Sequence, residues 1–229
     1  MTKKIVVIGN SHVESLLRAL QKRPDPDLEV FNFRREAADM ATSPAARAAM
    51  AERIGPVDVL CFLIQGNLHN VLGLINDPQP FWLAPAEPNG QLVSHSMMRA
   101  HMQARMKRNL EFAQAMAQAI PCRQRILIEP PPPAGDADHI RKHPGAFAEK
   151  IALGVSPDAL RIQLYRLQSD VYREHATALD ARFLPCPSAA RDERGFLAAQ
   201  YWNADPTHGN AGYGALVLRD LRAAIGETA

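Results

Sequence analysis

The feature that most constrains this chain is a series of short, uninterrupted apolar runs, each closed by Gly or Pro. KIVVIG (4–9), LEVFNF (28–33), VDVLCFLIQGN (57–67), RILIEPPPP (125–133) and ARFLPCP (181–187) all read this way. A run that is apolar on every residue, rather than on alternate ones, suits a strand covered on both faces. Proline ends such a run because it cannot donate to a central ladder. Between the runs the period changes. Val13, Leu16, Leu17 and Leu20 fall at i, i+3, i+4 and i+7, which is one face of an amphipathic helix. Further helices are expected over 44–54, 99–120, 157–180 and 211–225. Strands alternating with helices predict a five-stranded parallel sheet with helices on both faces, a three-layer α/β/α sandwich. At 229 residues the whole chain, 1–229, reads as one α/β domain with a sizeable core. Two stretches, 68–98 and 131–156, carry no clear period. Loops of that length are usually functional, so they are candidate walls of a site.

Composition removes several classes. The formal charge is +2, with Lys and Arg spread along the chain, which leaves no footprint for nucleic acid or an anionic membrane. No apolar run reaches the roughly 18 residues of a membrane span. Behind Lys3 and Lys4 the apolar run is only Ile5 to Ile8. A secretory signal needs about 7–15 such residues, so the expected location is cytoplasmic. Cys61, Cys122 and Cys186 are odd in number and in no CxxC spacing, which reads as buried reduced thiols. His139 and His143 stand four apart, but HIRKH lacks the Glu of a metalloprotease helix and Pro144 follows. They are taken as surface histidines, and no metal site is expected.

In an open parallel sheet, ligands bind beyond the carboxyl ends of the strands, where strand order reverses. The first strand delivers Gly9-Asn10-Ser11 to that edge and the third delivers Gln65-Gly66-Asn67. With strand order 2-1-3-4-5, Ser11 and Asn67 face one crevice. Near the other end, YWNADPTHGNAGYGALVL (201–218) is a polar loop with Asp205 and His208 three apart, stiffened by Pro206. A serine hydroxyl is a poor nucleophile until a base takes its proton, and histidine serves best when a carboxylate orients it. Ser11 and Glu14 also form S-x-x-E, the spacing of a helix capping box. His12 points about 100° away from Ser11 on a helix, so it lines the pocket or packs near the sheet edge. His69 and Asn70 follow Asn67 as pocket candidates. Tyr201 and Trp202 are either core anchors or a wall for an apolar or sugar group.

Gly9-Asn10-Ser11-His12, Gly66-Asn67 and Asp205-Pro-Thr-His208 together resemble the blocks of the SGNH (GDSL-like) hydrolase superfamily, in order and in strand-end placement. The resemblance spans nearly the whole chain. It implies a flavodoxin-like sheet, with Ser11 as nucleophile, His208 as general base and then acid, and Asp205 orienting it. Asn67 and the Ser11 N–H would hold the oxyanion, with Asn10, His12, Gly66, His69 and Trp202 around the pocket. The chain departs from the family in reading GNSH for GDSL and in lacking Asp after Asn67. The loop FRREAADMATS (33–43) also has no Gly where the family carries one. A backbone N–H between Arg34 and Ala38 is the candidate third donor. The implied reaction is cleavage of a small-molecule carboxylic ester, with a small acyl group such as O-acetyl on carbohydrate, and no cofactor. The open alternatives are an acyltransferase, a thioesterase with an apolar groove over 68–98 around Phe81 and Trp82, or a non-catalytic binding module.

Overall fold

The computed structural model describes residues 3–33, 43–64, 66–84 and 90–226. Its five-stranded sheet contains β1 (Ile5–Gly9), β2 (Leu28–Asn32), β3 (Val57–Leu63), β6 (Cys122–Ile128) and β7 (Arg182–Leu184). A separate two-stranded parallel ribbon pairs β4 (Phe81–Leu83) with β5 (Gln91–Val93). The main sheet is parallel throughout, in the order β2-β1-β3-β6-β7. The chain leaves β1 toward one edge and β3 toward the other, so order reverses between these two central strands.

The continuous apolar runs are explained by what covers each face. Val6 and Ile8 of β1, and Leu60 and Phe62 of β3, pack in one core cluster. That cluster includes residues of α2 (Pro44–Ile54), α4 (His95–Ala119) and α6 (Asp158–Ala178). Ile5 and Val7, with Val59, Cys61 and Leu63, face the other way, against α1 (Glu14–Lys22) and α7 (Ala211–Ala224). Alternate residues therefore enter opposite cores, each large side chain contributing about 1.5–3 kcal/mol by leaving water. At Gly214 a Cβ would collide with the backbone of Ser15, so α7 lies backbone to backbone on α1. This close approach carries the chain after β7 back to the helix that follows β1.

The two stretches without a clear period contain more regular structure than a loop. The first holds α3 (Leu68–Gly73), the β4–β5 ribbon and the start of α4, whose Ser94 side chain accepts from the Met97 N–H. In its first turn His95, Ser96 and Met97 are exposed and only Met98 is buried, too little to display an apolar stripe, which is why the sequence places the helix start at 99. The second holds α5 (Ala137–Lys142) and a 3-10 segment, Gly145–Leu153. The two excursions meet in a small third cluster of Leu74, Ile75, Ala134 and Ile140, against which Trp202 packs. β6 begins at Cys122, earlier than the sequence suggests, because Cys122 to Arg125 are polar or only partly buried at that end. Among the described residues no helix is long and apolar enough to cross a membrane.

Candidate active site

The register places Gly9 beside Leu63, so the residues after β1 and β3 emerge from adjacent strands at one sheet edge. Asn10 N–H donates to the Leu63 carbonyl at 3.3 Å, and the chain then enters a 3-10 turn, Ser11–Val13. The capping box is not what starts this helix. Neither Asn10 before the turn nor Val13 before α1 makes a side-chain capping bond, the Ser11 hydroxyl is held by His208, and Glu14 accepts from the Asn32 amide at 2.6 Å.

Asp205 and His208 sit on a tight loop closed by an antiparallel bridge between Trp202 and Gly209 and by Asn203 N–H to the His208 carbonyl at 3.0 Å. Asn210 then caps α7, accepting from Gly212 and Tyr213. Because α7 is seated on α1, this loop comes down beside Ser11. His208 Nε2 lies 2.8 Å from Ser11 Oγ, and His208 Nδ1 lies 2.9 Å from Asp205 Oδ1. An ionised carboxylate only accepts, so Nδ1 carries the proton and Nε2 presents its lone pair to the Ser11 hydroxyl. Burial by itself would raise the Asp205 carboxyl. The His208 contact, the Thr207 N–H and the Asn203 amide outweigh it and hold Asp205 well below the usual carboxylate range. Arg18 of α1 in turn donates to Asn203 Oδ1 at 2.9 Å, tying the loop to the helix behind Ser11.

Asn67 stands immediately before α3, four residues past β3, and its side chain makes no capping bond to the helix. Asn70 Nδ2 donates to Asn67 Oδ1 at 2.9 Å, which fixes the sense of the Asn67 amide and leaves its NH2 as the donor end. Gln168, buried in α6, accepts from the His69 N–H at 2.7 Å and sits 3.1 Å from its Nδ1; its own amide reaches the Gly66 carbonyl at 3.5 Å. Deep beside them, Glu129 at the end of β6 accepts from Ser169, from Cys186 N–H and from Arg191, bracing this edge of the sheet.

The structure thus brings together Ser11, His208 and Asp205, with Gly66 and Asn67 on the turn that follows the neighbouring strand. His12 and His69 are buried, at 4% and 2% exposure, so neither lines an open pocket. Trp202 is an anchor: its indole N–H donates to the Leu197 carbonyl at 2.6 Å and its face meets His139. His139 and His143 are half-buried rather than surface residues, because the His139 ring is held between Trp202 and His143. Cys61 and Cys186 are buried thiols, with burial pushing Cys186 up to about 11, and Cys122 is only half-buried. Among the described residues no cluster of three His, Cys, Asp or Glu could hold a metal. The candidate third donor, between Arg34 and Ala38, lies outside the described residues.

Sequence reasoning placed Asn70 beside the pocket but missed its bond to Asn67, and it missed Asn203, Thr207 and Gln168 altogether. Asn203 and Thr207 are turn-forming types beside Asp205, so local spacing could have suggested them. Gln168 stands 102 residues from Gly66 and has no local signal.

The fold recurs among solved proteins. A GDSL-like lipase from Bacteroides thetaiotaomicron superposes with a TM-score of 0.53 at 14% identity, over 98% of this chain and 87% of that one. A candidate SGNH hydrolase from Slackia heliotrinireducens gives 0.54 at 12% identity, over 99% and 100%. At such identities the likeness is one of fold, and the fold is that of GDSL-like and SGNH hydrolases. No protein-family model and no curated protein sequence matches the chain.

Proposed function

We propose that this protein is a serine hydrolase that cleaves carboxylic esters of small acyl groups through an acyl-enzyme. The observation that carries this reading is the continuous line from Asp205 through His208 to Ser11, with contacts of 2.9 and 2.8 Å. In the reaction, His208 Nε2 takes the Ser11 proton as Oγ attacks the ester carbonyl, and the imidazolium formed is stabilised by ionised Asp205. The tetrahedral oxyanion accepts from the Asn67 NH2 and the Ser11 N–H, at the positive end of the helix that follows. His208 returns the proton to the departing alkoxide. Water, activated by the same base, then releases the acid and frees Ser11. No step calls on a metal or organic cofactor.

Buried His12 packs against the His208 ring, which favours a short acyl group over a long chain. An O-acetylated carbohydrate is the preferred natural class, by analogy with the superfamily. The test is hydrolysis of p-nitrophenyl esters. Acetate should turn over faster than octanoate, and Ser11→Ala should lower kcat by about 10⁴-fold or more. A folded wild-type protein that hydrolyses neither ester sinks the reading.

A further inference from the structure

The mechanism above leaves His12 unused, yet its placement is hard to account for as packing alone. Its ring lies against that of His208, centroids 4.6 Å apart and planes tilted by 41°. Both of its nitrogens are buried, and neither has a hydrogen-bond partner among the described residues. An apolar side chain of similar size would fill the position without leaving polar atoms unpaired, and natural interiors rarely keep such atoms without a use. The surroundings are also shaped to admit the ring. A Cβ on Gly66 would strike the His12 imidazole and Pro130, so this glycine, in the turn after β3, is what leaves His12 room beside His208.

We infer that His12 is a positioning residue for His208: an uncharged imidazole face that seats the base against Ser11 and steadies the imidazolium it becomes. The inference rests on the esterase reading for its catalytic consequence, but its electrostatic part stands on the free protein. A cation gains from an aromatic face within about 6 Å of its centroid, and most when water is excluded. The 4.6 Å centroid separation meets the distance condition, and the His12 ring is buried, while the His208 side chain keeps 26% of its surface exposed. The face must remain uncharged, since a second imidazolium at this separation would repel the first. Burial first, then the neighbouring His208 and His69, hold His12 far toward the neutral form, against a smaller opposing pull from Asp205. The other polar or titratable groups around the pair are Ser11 and Thr207, His69 on α3, and His139 on α5, which approaches the Asp205 carbonyl at 3.4 Å. None of these is an anion, so among the described residues Asp205 is the group whose charge helps the imidazolium, and His12 supplies a second favourable face.

The test compares wild type with His12→Leu and His12→Phe, each checked by circular dichroism for a native melt. The His208 imidazole is titrated by NMR on the free protein, assigned with His208→Gln, and kcat and KM are measured on p-nitrophenyl acetate. For His12→Leu the His208 titration and the acid limb of kcat/KM should both move to lower pH by about one unit. In the same variant kcat should fall about tenfold with KM little changed. His12→Phe, which keeps an aromatic face, should restore most of both. A folded His12→Leu variant that titrates and turns over as wild type does, or that titrates at higher pH, overturns the inference. So does a folded His12→Phe variant that behaves as His12→Leu. Because the titration needs no ester, an inactive wild type would remove the esterase reading while the titration still decided the role of His12.

Discussion

At the residue scale the site depends on side chains whose own partners fix their orientation. Asn67 is the clearest case, because Asn70 occupies its oxygen and so turns the NH2 outward. Asn67→Ala should therefore cost about 10²–10³ in kcat, the usual loss for one oxyanion donor, with a much smaller change in KM. Asn70→Ala leaves the donor in place but frees the amide to rotate, so its loss should be intermediate, within about tenfold. Steady-state kinetics on p-nitrophenyl acetate separate the two, and equal effects would contradict this division of labour. The convergence of Ser11, Asp205 and His208 was legible in the sequence, because their residue types, the Asp-x-x-His spacing and the strand-end placement are those a base-activated hydroxyl would need. The donors that hold Asp205 were not, because Asn203 and Thr207 look like ordinary loop residues until the carboxylate is placed between them.

At the element scale the decisive contact is helix on helix. Gly214 lets α7 rest on the backbone of Ser15, and the loop bearing His208 leads directly into α7. Gly214→Ala forces the helices apart. It should destabilise the protein by about 1–3 kcal/mol, and it should lower kcat although residue 214 touches no substrate. Urea denaturation and kinetics on the same sample check both; a stable, fully active variant would contradict the coupling. The strands and long helices could be read beforehand, since a doubly covered strand and an amphipathic helix leave distinct patterns in a single sequence. Elements such as α3, α5 and the three-residue β4 and β5 could not. Six residues span less than two helical turns, too few to display a period. The S-x-x-E spacing at Ser11 misled for a related reason, because local spacing is silent about the tertiary partners that claimed both side chains.

At the scale of the whole molecule, buried histidines tie stability to pH. Burial lowers His69 from 6.5 to about 4, the Gln168 contact opposing only in part. The unfolded chain takes up that proton at higher pH than the native one. Stability is therefore complete above about 6.5, falls as the pH drops, and has lost the His69 share by about 4. That share is about 3 kcal/mol, at about 1.36 kcal/mol per unit. Asp205 acts lower down: its depressed carboxyl contributes above the unfolded value near 3.9, and the contribution disappears only as pH falls through the native one. Urea midpoints should thus decline between pH 6.5 and 4, and His69→Phe should flatten the decline if it folds. An unchanged slope in a folded His69→Phe variant would contradict the assignment.

The central claim is that the line from Asp205 through His208 makes Ser11 a nucleophile, and covalent labelling reads this without knowledge of the natural ester. The protein is treated with a fluorophosphonate and the adduct is located by peptide mass spectrometry, alongside Ser11→Ala and His208→Gln variants of native melt. One adduct is expected, on Ser11, with none in Ser11→Ala and strongly slowed labelling in His208→Gln. A folded wild type that takes up no label, or label that persists in Ser11→Ala, would contradict it.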